Sequence, residues 1–159
     1  MEEQGKWNTT RRSLLLAAGA LAVGGSAAAQ TLTRSEGGPE AMQAAIRKVI
    51  GEAEVKKGKV KLDVPPLSEN GNTVSCAVTV DNPMTPKDYV KAIHIFTEKN
   101  PQPYVVSVHL GPRAGRAAFA TRIRLADTQT ITAIAELSDG SFWSDSADVI
   151  ITLGACLED

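Results

Sequence analysis

Aromatic residues and clustered basic residues are both scarce in this sequence. Phe, Trp and Tyr make up 4% of the 159 residues, whereas apolar residues make up 43%. Val, Ile, Leu and Ala can fill one core, but few large rings are available to line a deep small-molecule cavity. The formal net charge is -1, and the basic pair Arg113 and Arg116 is too small for a nucleic-acid-binding face. These absences disfavour a deep-pocket enzyme and a nucleic-acid-binding protein.

Apolar runs long enough to cross a membrane are also lacking. The N-terminal run Leu14–Val23 has about ten residues before its glycines, well short of the roughly 20 that a spanning helix needs. Arg11 and Arg12 precede this run, and the small residues 26–29 follow it. A charged stretch, a short apolar stretch and small residues are typical of a signal peptide, and the twin arginines favour the Tat route. We expect residues 1–29 to be a Tat signal peptide and the mature protein to be a soluble periplasmic domain without membrane attachment.

A short helix is predicted at about residues 39–50. Pro39 suits a first helical turn, and Gly51 is a stop signal. Apolar residues recur between them at helical spacing: Met42, Ala45, Ile46, Val49 and Ile50. The pattern changes to strands after Pro65 and Pro66.

Alternating apolar residues predict strands along the rest of the chain. In the segment Val74–Val80 the apolar face falls on the even positions, so Cys76 should point inward. Further strands are expected at residues 89–98, 104–110, 119–125, 131–137 and 149–153, with turn signals between them. About seven short strands with no helices between them predict an immunoglobulin-like antiparallel β-sandwich, with the N-terminal helix, over residues 30–153.

The two cysteines have different sequence contexts. An exported protein favours disulfides, but Cys76 lies mid-strand, where a free cysteine acts as a small hydrophobe. Cys156 lies on a C-terminal arm, residues 154–159, and a bridge would require this arm to fold back into the core. Gly154 and Ala155, the two residues before Cys156, are small and would leave the arm narrow. The thiol could stand roughly 10 Å clear of the sheet. A free arm thiol is the favoured interpretation, and an intramolecular bridge stays an alternative.

The surroundings of Cys156 in the sequence argue against a self-sufficient nucleophile. Glu158, Asp159 and the terminal carboxylate should raise the pKa of this thiol. Activation would need a cation, a histidine or a helix N-terminus nearby, and the local sequence supplies none. We therefore expect a substrate carrier that partner enzymes act on, and not an enzyme.

Neither histidine has metal-ligand spacing to the other or to a cysteine, so structural roles, no metal and no cofactor are expected. The alternative is a structural or copper-binding periplasmic sandwich without carrier activity. The ligands of such a copper site would be Met84, His94, His109 and Cys156. The loop 111–116 with its two arginines is either an anion or carboxylate contact or an exposed turn.

Several stretches, in order along the mature chain, carry a resemblance: Glu69–Val74, Ile93–Phe96, Lys99–Pro101, Leu110–Arg116, Thr121–Ala126, Ile134–Trp143 and the terminal arm. Together with the twin-arginine signal and the arm cysteine, they resemble the SoxY family, the sulfur-carrier subunits of the periplasmic Sox thiosulfate-oxidation system. Each stretch alone is weak, and their combination is specific.

The resemblance implies an immunoglobulin-like sandwich in a heterodimer with SoxZ. It implies that the haem enzyme SoxXA joins thiosulfate to the arm cysteine, here Cys156, and that SoxB hydrolyses the terminal sulfonate. The sulfane dehydrogenase SoxCD is a further, optional partner. The chain departs from the family's Gly-Gly-Cys-Gly-Gly ending, because Gly154 and Ala155 precede the cysteine and Leu157 and Glu158 follow it. This ending implies a stiffer arm whose entry into a narrow channel is restricted.

Overall fold

The structure, a computed structural model, describes residues 37–155. The predicted signal peptide, Cys156 and the residues after it lie outside the described part. Helix α1 covers Pro39–Ile50. The strands that follow are β1 (Val55–Lys57), β2 (Val60–Asp63), β3 (Leu67–Ser68), β4 (Val74–Val80), β5 (Val90–Thr97), β6 (Tyr104–His109), β7 (Ala118–Ile123), β8 (Gln129–Leu137) and β9 (Phe142–Ile151).

The helix begins and ends where the sequence predicts. Pro39 occupies its first turn, where the missing N–H costs no helical hydrogen bond. Gly51 follows the last turn with a φ of 64°, and its N–H donates to the carbonyl oxygen of Arg47. Among the described residues, no helix is long and apolar enough to cross a membrane.

Two sheets form the sandwich. The larger has the strand order β1-β9-β8-β5-β6, with β3 also pairing with β9, and the smaller has the order β2-β4-β7. The main core lies between them and includes Val78 of the smaller sheet and Ile93 of the larger. The predicted all-β sandwich with a short N-terminal helix is confirmed.

Strand β4 follows the predicted alternation. Val74, Cys76, Val78 and Val80 are buried, while Ser75 and Thr79 are exposed. The inward position of Cys76 is therefore confirmed.

Strand β5 is buried on both faces. Ile93 and Ile95 face the core between the sheets, whereas Phe96 packs on the other face with Met42 and Ile46 of α1. Burial of each large apolar side chain stabilises the fold by about 1.5–3 kcal/mol. The helix therefore covers part of the outer face of the larger sheet.

The last strand differs from its prediction. It was expected at residues 149–153 but runs Phe142–Ile151, and it pairs in parallel with both β1 and β3. Its first part carries polar residues such as Ser144, Asp145 and Ser146 and shows no apolar alternation. Backbone pairing with β8 on one side and β1 on the other holds this part, so the side-chain pattern does not reveal it.

Candidate functional site

The base of the C-terminal arm is bound to the sandwich by backbone hydrogen bonds. The N–H of Gly71 donates to the carbonyl oxygen of Leu153 at 2.8 Å, and the N–H of Ala155 donates to that of Leu125 at 3.1 Å. The N–H of Leu125 donates in turn to the carbonyl oxygen of Gly71 at 2.8 Å. Ala155 is only 7% exposed. The sequence predicts an arm that stands free of the sandwich from Gly154 onward. In the structure the arm is bound to the sandwich up to and including Ala155.

Two glycines allow this close approach. A Cβ atom on Gly71 would overlap the carbonyl oxygen of Leu125 and lie 2.8 Å from the amide nitrogen of Ala155. A Cβ atom on Gly154 would overlap the carbonyl oxygen of Ala126. We call Gly71, Leu125 and Ala126 the arm dock. It accepts the arm only because glycine lies on both sides of the contact.

Asn100 braces the arm dock from behind. Its Nδ2 donates to the carbonyl oxygen of Arg124 at 2.8 Å, and its Oδ1 accepts the N–H of Ala126 at 3.0 Å. The same oxygen accepts a 3.0 Å hydrogen bond from Nε2 of Gln129, whose Oε1 accepts the N–H of Lys99. One side chain therefore holds both ends of the segment 124–126.

Three of the stretches singled out in the sequence meet at this place: Glu69–Val74, Lys99–Pro101 and Thr121–Ala126. Sequence reasoning assigned no role to Gly71 or Asn100. The available signals were the pairs Asn70-Gly71 and Asn100-Pro101, which mark turns without revealing their neighbours.

The thiol of the other cysteine, Cys76, has low reactivity. Cys76 is 1% exposed, and burial raises the pKa of its thiol to about 11. At neutral pH this thiol is protonated, and the thiolate is the nucleophilic form. Reaction with a substrate is therefore disfavoured at Cys76.

A family model described as sulfur oxidation protein SoxY matches residues 46–156, more than half of the chain. The chain belongs to the SoxY family. The matched range includes the arm dock and ends on Cys156, so the arm cysteine belongs to the SoxY-like region. Comparison with curated protein sequences gives no match.

Solved structures share the SoxY-like fold. The sulfur carrier protein SoxY from Chlorobium limicola f thiosulfatophilum aligns with a TM-score of 0.60 and 23% identity, over 72% of this chain and 98% of that one. Superoxide reductase (neelaredoxin) from Ignicoccus hospitalis aligns at 0.53 and 13% identity, over 59% and 80%. Superoxide reductase from Nanoarchaeum equitans aligns at 0.50 and 10% identity, over 60% and 99%. At these identities the likeness shows the fold alone.

Two of the four candidate copper ligands, Met84 and His94, lie on opposite sides of the larger sheet. Met84 packs in the core between the sheets, and its Sδ accepts the N–H of Val90 at 3.4 Å. His94 lies on the other face, with its Nδ1 2.9 Å from the Tyr104 hydroxyl. The ring of His109 is 6.3 Å from that of His94. The described residues contain no group of three His, Cys, Asp or Glu side chains that could hold a metal ion.

Proposed function

We propose that this protein carries sulfur intermediates of thiosulfate oxidation covalently on Cys156 and presents them to partner Sox enzymes. The observation that carries the proposal is the SoxY-family match, which extends to Cys156. The chemistry of the other cysteine supports it, because Cys76 is buried and its pKa is raised to about 11. In this proposal the protein is a substrate and not a catalyst.

Loading forms one sulfur–sulfur bond by oxidation. The Cys156 thiol and thiosulfate give a cysteine S-thiosulfonate, one proton and two electrons. The new bond joins Sγ to the sulfane sulfur, and the electrons pass to a haem acceptor, for which the family resemblance suggests SoxXA. The protein supplies the sulfur atom and its placement, and the partner supplies the oxidant.

Unloading begins with hydrolysis. Water attacks the sulfonate sulfur, whose bond to the sulfane sulfur breaks, and releases sulfate and two protons while a persulfide anion stays on Cys156. A hydrolase such as SoxB would catalyse this step, and a sulfane dehydrogenase such as SoxCD would oxidise the remaining sulfur. SoxZ is the proposed stable partner.

Export through the Tat route to the periplasm is part of the proposal, because Arg11 and Arg12 precede a short apolar run. Replacement of both arginines by lysine should leave the precursor in the cytoplasm, as measured by cell fractionation. Normal periplasmic amounts of that variant would contradict the proposed route.

The carrier function is tested by Cys156→Ser. Serine keeps the size of the side chain but forms no stable bond to the sulfane sulfur, so thiosulfate-dependent cytochrome reduction with purified partners should vanish. The variant should melt normally, because exchange of one sulfur for an oxygen on the C-terminal arm should change the free energy of unfolding by no more than about 0.5 kcal/mol. Cys76→Ala is the matched control, since it removes the other sulfur and should retain turnover.

Intact mass separates the carrier from a copper-binding or structural sandwich. Protein isolated from thiosulfate-grown cells should carry sulfur-atom or sulfonate increments on Cys156, and Cys156→Ser should carry none. Residual turnover in Cys156→Ser with a normal melt would contradict the proposal. A peptide bridged between Cys76 and Cys156 in a non-reduced digest would favour the disulfide alternative instead.

A further inference from the structure

We infer that the arm dock is a positioning device for the carrier cysteine. It holds the arm as far as Ala155, so the point of the sandwich to which Cys156 is attached is fixed at Ala155 and not at Leu153. Gly71 and Asn100 then act as positioning residues through the arm. This inference rests on the proposed function for its biological meaning, although the docked arm itself is tested independently below.

One residue of the arm dock, Leu125, belongs to the main core. The Leu125 side chain is fully buried there, while its N–H donates to Gly71 and its carbonyl oxygen accepts the N–H of Ala155. One residue therefore links the core, the Gly71 loop and the arm. Movement of the arm base out of the dock breaks two backbone hydrogen bonds, Gly71 to Leu153 and Ala155 to Leu125, and uncovers a buried alanine.

The contact limits where the thiol can go. Consecutive Cα atoms lie about 3.8 Å apart, so a fixed Ala155 keeps Cys156 within one such step of the dock. An arm free from Leu153 onward would let the thiol sweep roughly 10 Å from the sheet. A partner that recognises the docked sandwich would meet the thiol in a small volume and would lose less conformational freedom on binding.

The dock also accounts for the residue types at positions 154 and 155. Ala155 is 7% exposed, so its methyl group lies against the protein. Glycine is kept at 154, where a Cβ atom would overlap Ala126. The residue types at these two positions therefore fit a seated arm better than an arm free along its whole length.

Gly154→Ala tests the inference from the arm side, because its new methyl group would overlap the carbonyl oxygen of Ala126 without entering the core. Gly71→Ala is the reciprocal change from the dock side. Gly111→Ala is the matched control, since a Cβ atom there meets no atom within 4 Å and Gly111 is not among the positive-φ glycines. All are made in the full mature chain, with its partner subunit present.

The first measurement is hydrogen exchange of the Ala155 amide. In the unmodified protein and in Gly111→Ala this amide should be protected, and Gly154→Ala should speed its exchange by about tenfold. Equal exchange in all variants would overturn the dock. If Gly71→Ala fails to fold, Gly154→Ala still tests the dock, because Gly154 is exposed and its new methyl group does not enter the core.

The second measurement compares two kinds of reaction at Cys156. Undocking should make alkylation by a bulky maleimide about fivefold faster, because the thiol gains reach, while the KM for enzymatic loading rises about tenfold and kcat changes little. A merely structural role would not raise the alkylation rate while it lowers kcat/KM for enzymatic loading. Lost amide protection with unchanged alkylation and KM would overturn the positioning role.

The failure of the proposed function would look different. An unmodified protein that acquires no sulfur on Cys156 would contradict the carrier proposal. Amide exchange and maleimide alkylation do not need thiosulfate or any enzyme, so they would still support or overturn the docked arm.

Discussion

The two ends of the sandwich use glycine for different purposes. At the arm end, Gly71 and Gly154 provide room, since a Cβ atom on either would overlap a carbonyl oxygen. At the opposite end, the turns contain Gly115 and Gly140 with φ of 74° and 81°, and a Cβ atom there meets no atom within 4 Å. Glycine at the opposite end therefore serves turn conformation, whereas at the arm end it serves a close backbone contact.

The side-chain interactions at the two ends also differ. At the opposite end, the ammonium groups of Lys59 and Lys56 lie 5.1 and 5.9 Å from the centre of the Trp143 ring. At the arm end, the amide of Asn100 bonds to the backbone of residues 124 and 126. The Asn100 side chain thus cross-links the backbone at the arm end, next to the residues that bind the base of the arm.

The largest expected effect concerns the two cysteines. Burial raises the pKa of Cys76 to about 11, so its thiolate fraction at neutral pH should be at least about a hundredfold below that of an ordinary cysteine. Iodoacetamide should therefore label the native protein at Cys156, the residue next to the dock, and leave Cys76 unlabelled. Peptide mass mapping gives the result, with urea-unfolded protein as the control in which both react. Equal labelling in the native state would show that the assigned roles are wrong.

A second test compares one asparagine from each end. Asn100→Ala removes three hydrogen bonds, including the brace of the dock, and should destabilise the protein by about 2 kcal/mol. Asn82→Ala removes two bonds, to Asp88 and to the N–H of Met84, and should cost about 1 kcal/mol or less.

Urea unfolding of both variants measures the difference. Asn100→Asp serves as a control, because its carboxylate can still accept the N–H of Ala126 but cannot donate to Arg124. It should fall between the unmodified protein and Asn100→Ala. Equal losses of unfolding free energy in the two alanine variants would show that Asn100 does not stabilise its end of the sandwich more than Asn82 does.

Sequence patterns predicted the parts of the fold in which burial alternates along the chain. Strand β4 and helix α1 were found because one face of each is apolar and the other polar. Strands β1 and β3 have three and two residues, too short for any period to appear. The first part of β9 was missed because its polar side chains hide a strand held by backbone pairing.

The sequence likewise predicted only part of the candidate site. The role proposed for Cys156 could be predicted from the sequence because a cysteine on a C-terminal arm is a side-chain signal, and it stays a prediction. The arm dock could not, because the hydrogen bonds at Gly71, Leu125 and Ala155 join backbone groups, which every residue type possesses. Only the spatial meeting of segments distant in the chain shows that Gly71 and Gly154 are needed for room.

The smallest expected effect lies between the two ends, at His94. Burial lowers the pKa of this imidazole below its ordinary value near 6.5. The charge of Glu136 opposes the shift and that of His109 adds to it. The unfolded chain therefore binds a proton at a pH where the folded chain does not. The contribution of His94 to the free energy of unfolding should be fully present above about pH 6.5, and the free energy of unfolding should fall as the pH decreases below this value.

His94→Gln should flatten this pH dependence, because glutamine does not titrate and can still bond to the Tyr104 hydroxyl. Urea unfolding at several pH values between 5 and 7.5 measures the slope of the unfolding free energy against pH.

Asn100→Ala is the control. It should lower the free energy of unfolding by the same amount at every pH and keep the slope, since the dock contains no group that titrates in this range. A changed slope in Asn100→Ala would mean that the arm end and the outer face of the larger sheet are coupled. An unchanged slope in His94→Gln would mean that His94 is not the group responsible for the pH dependence.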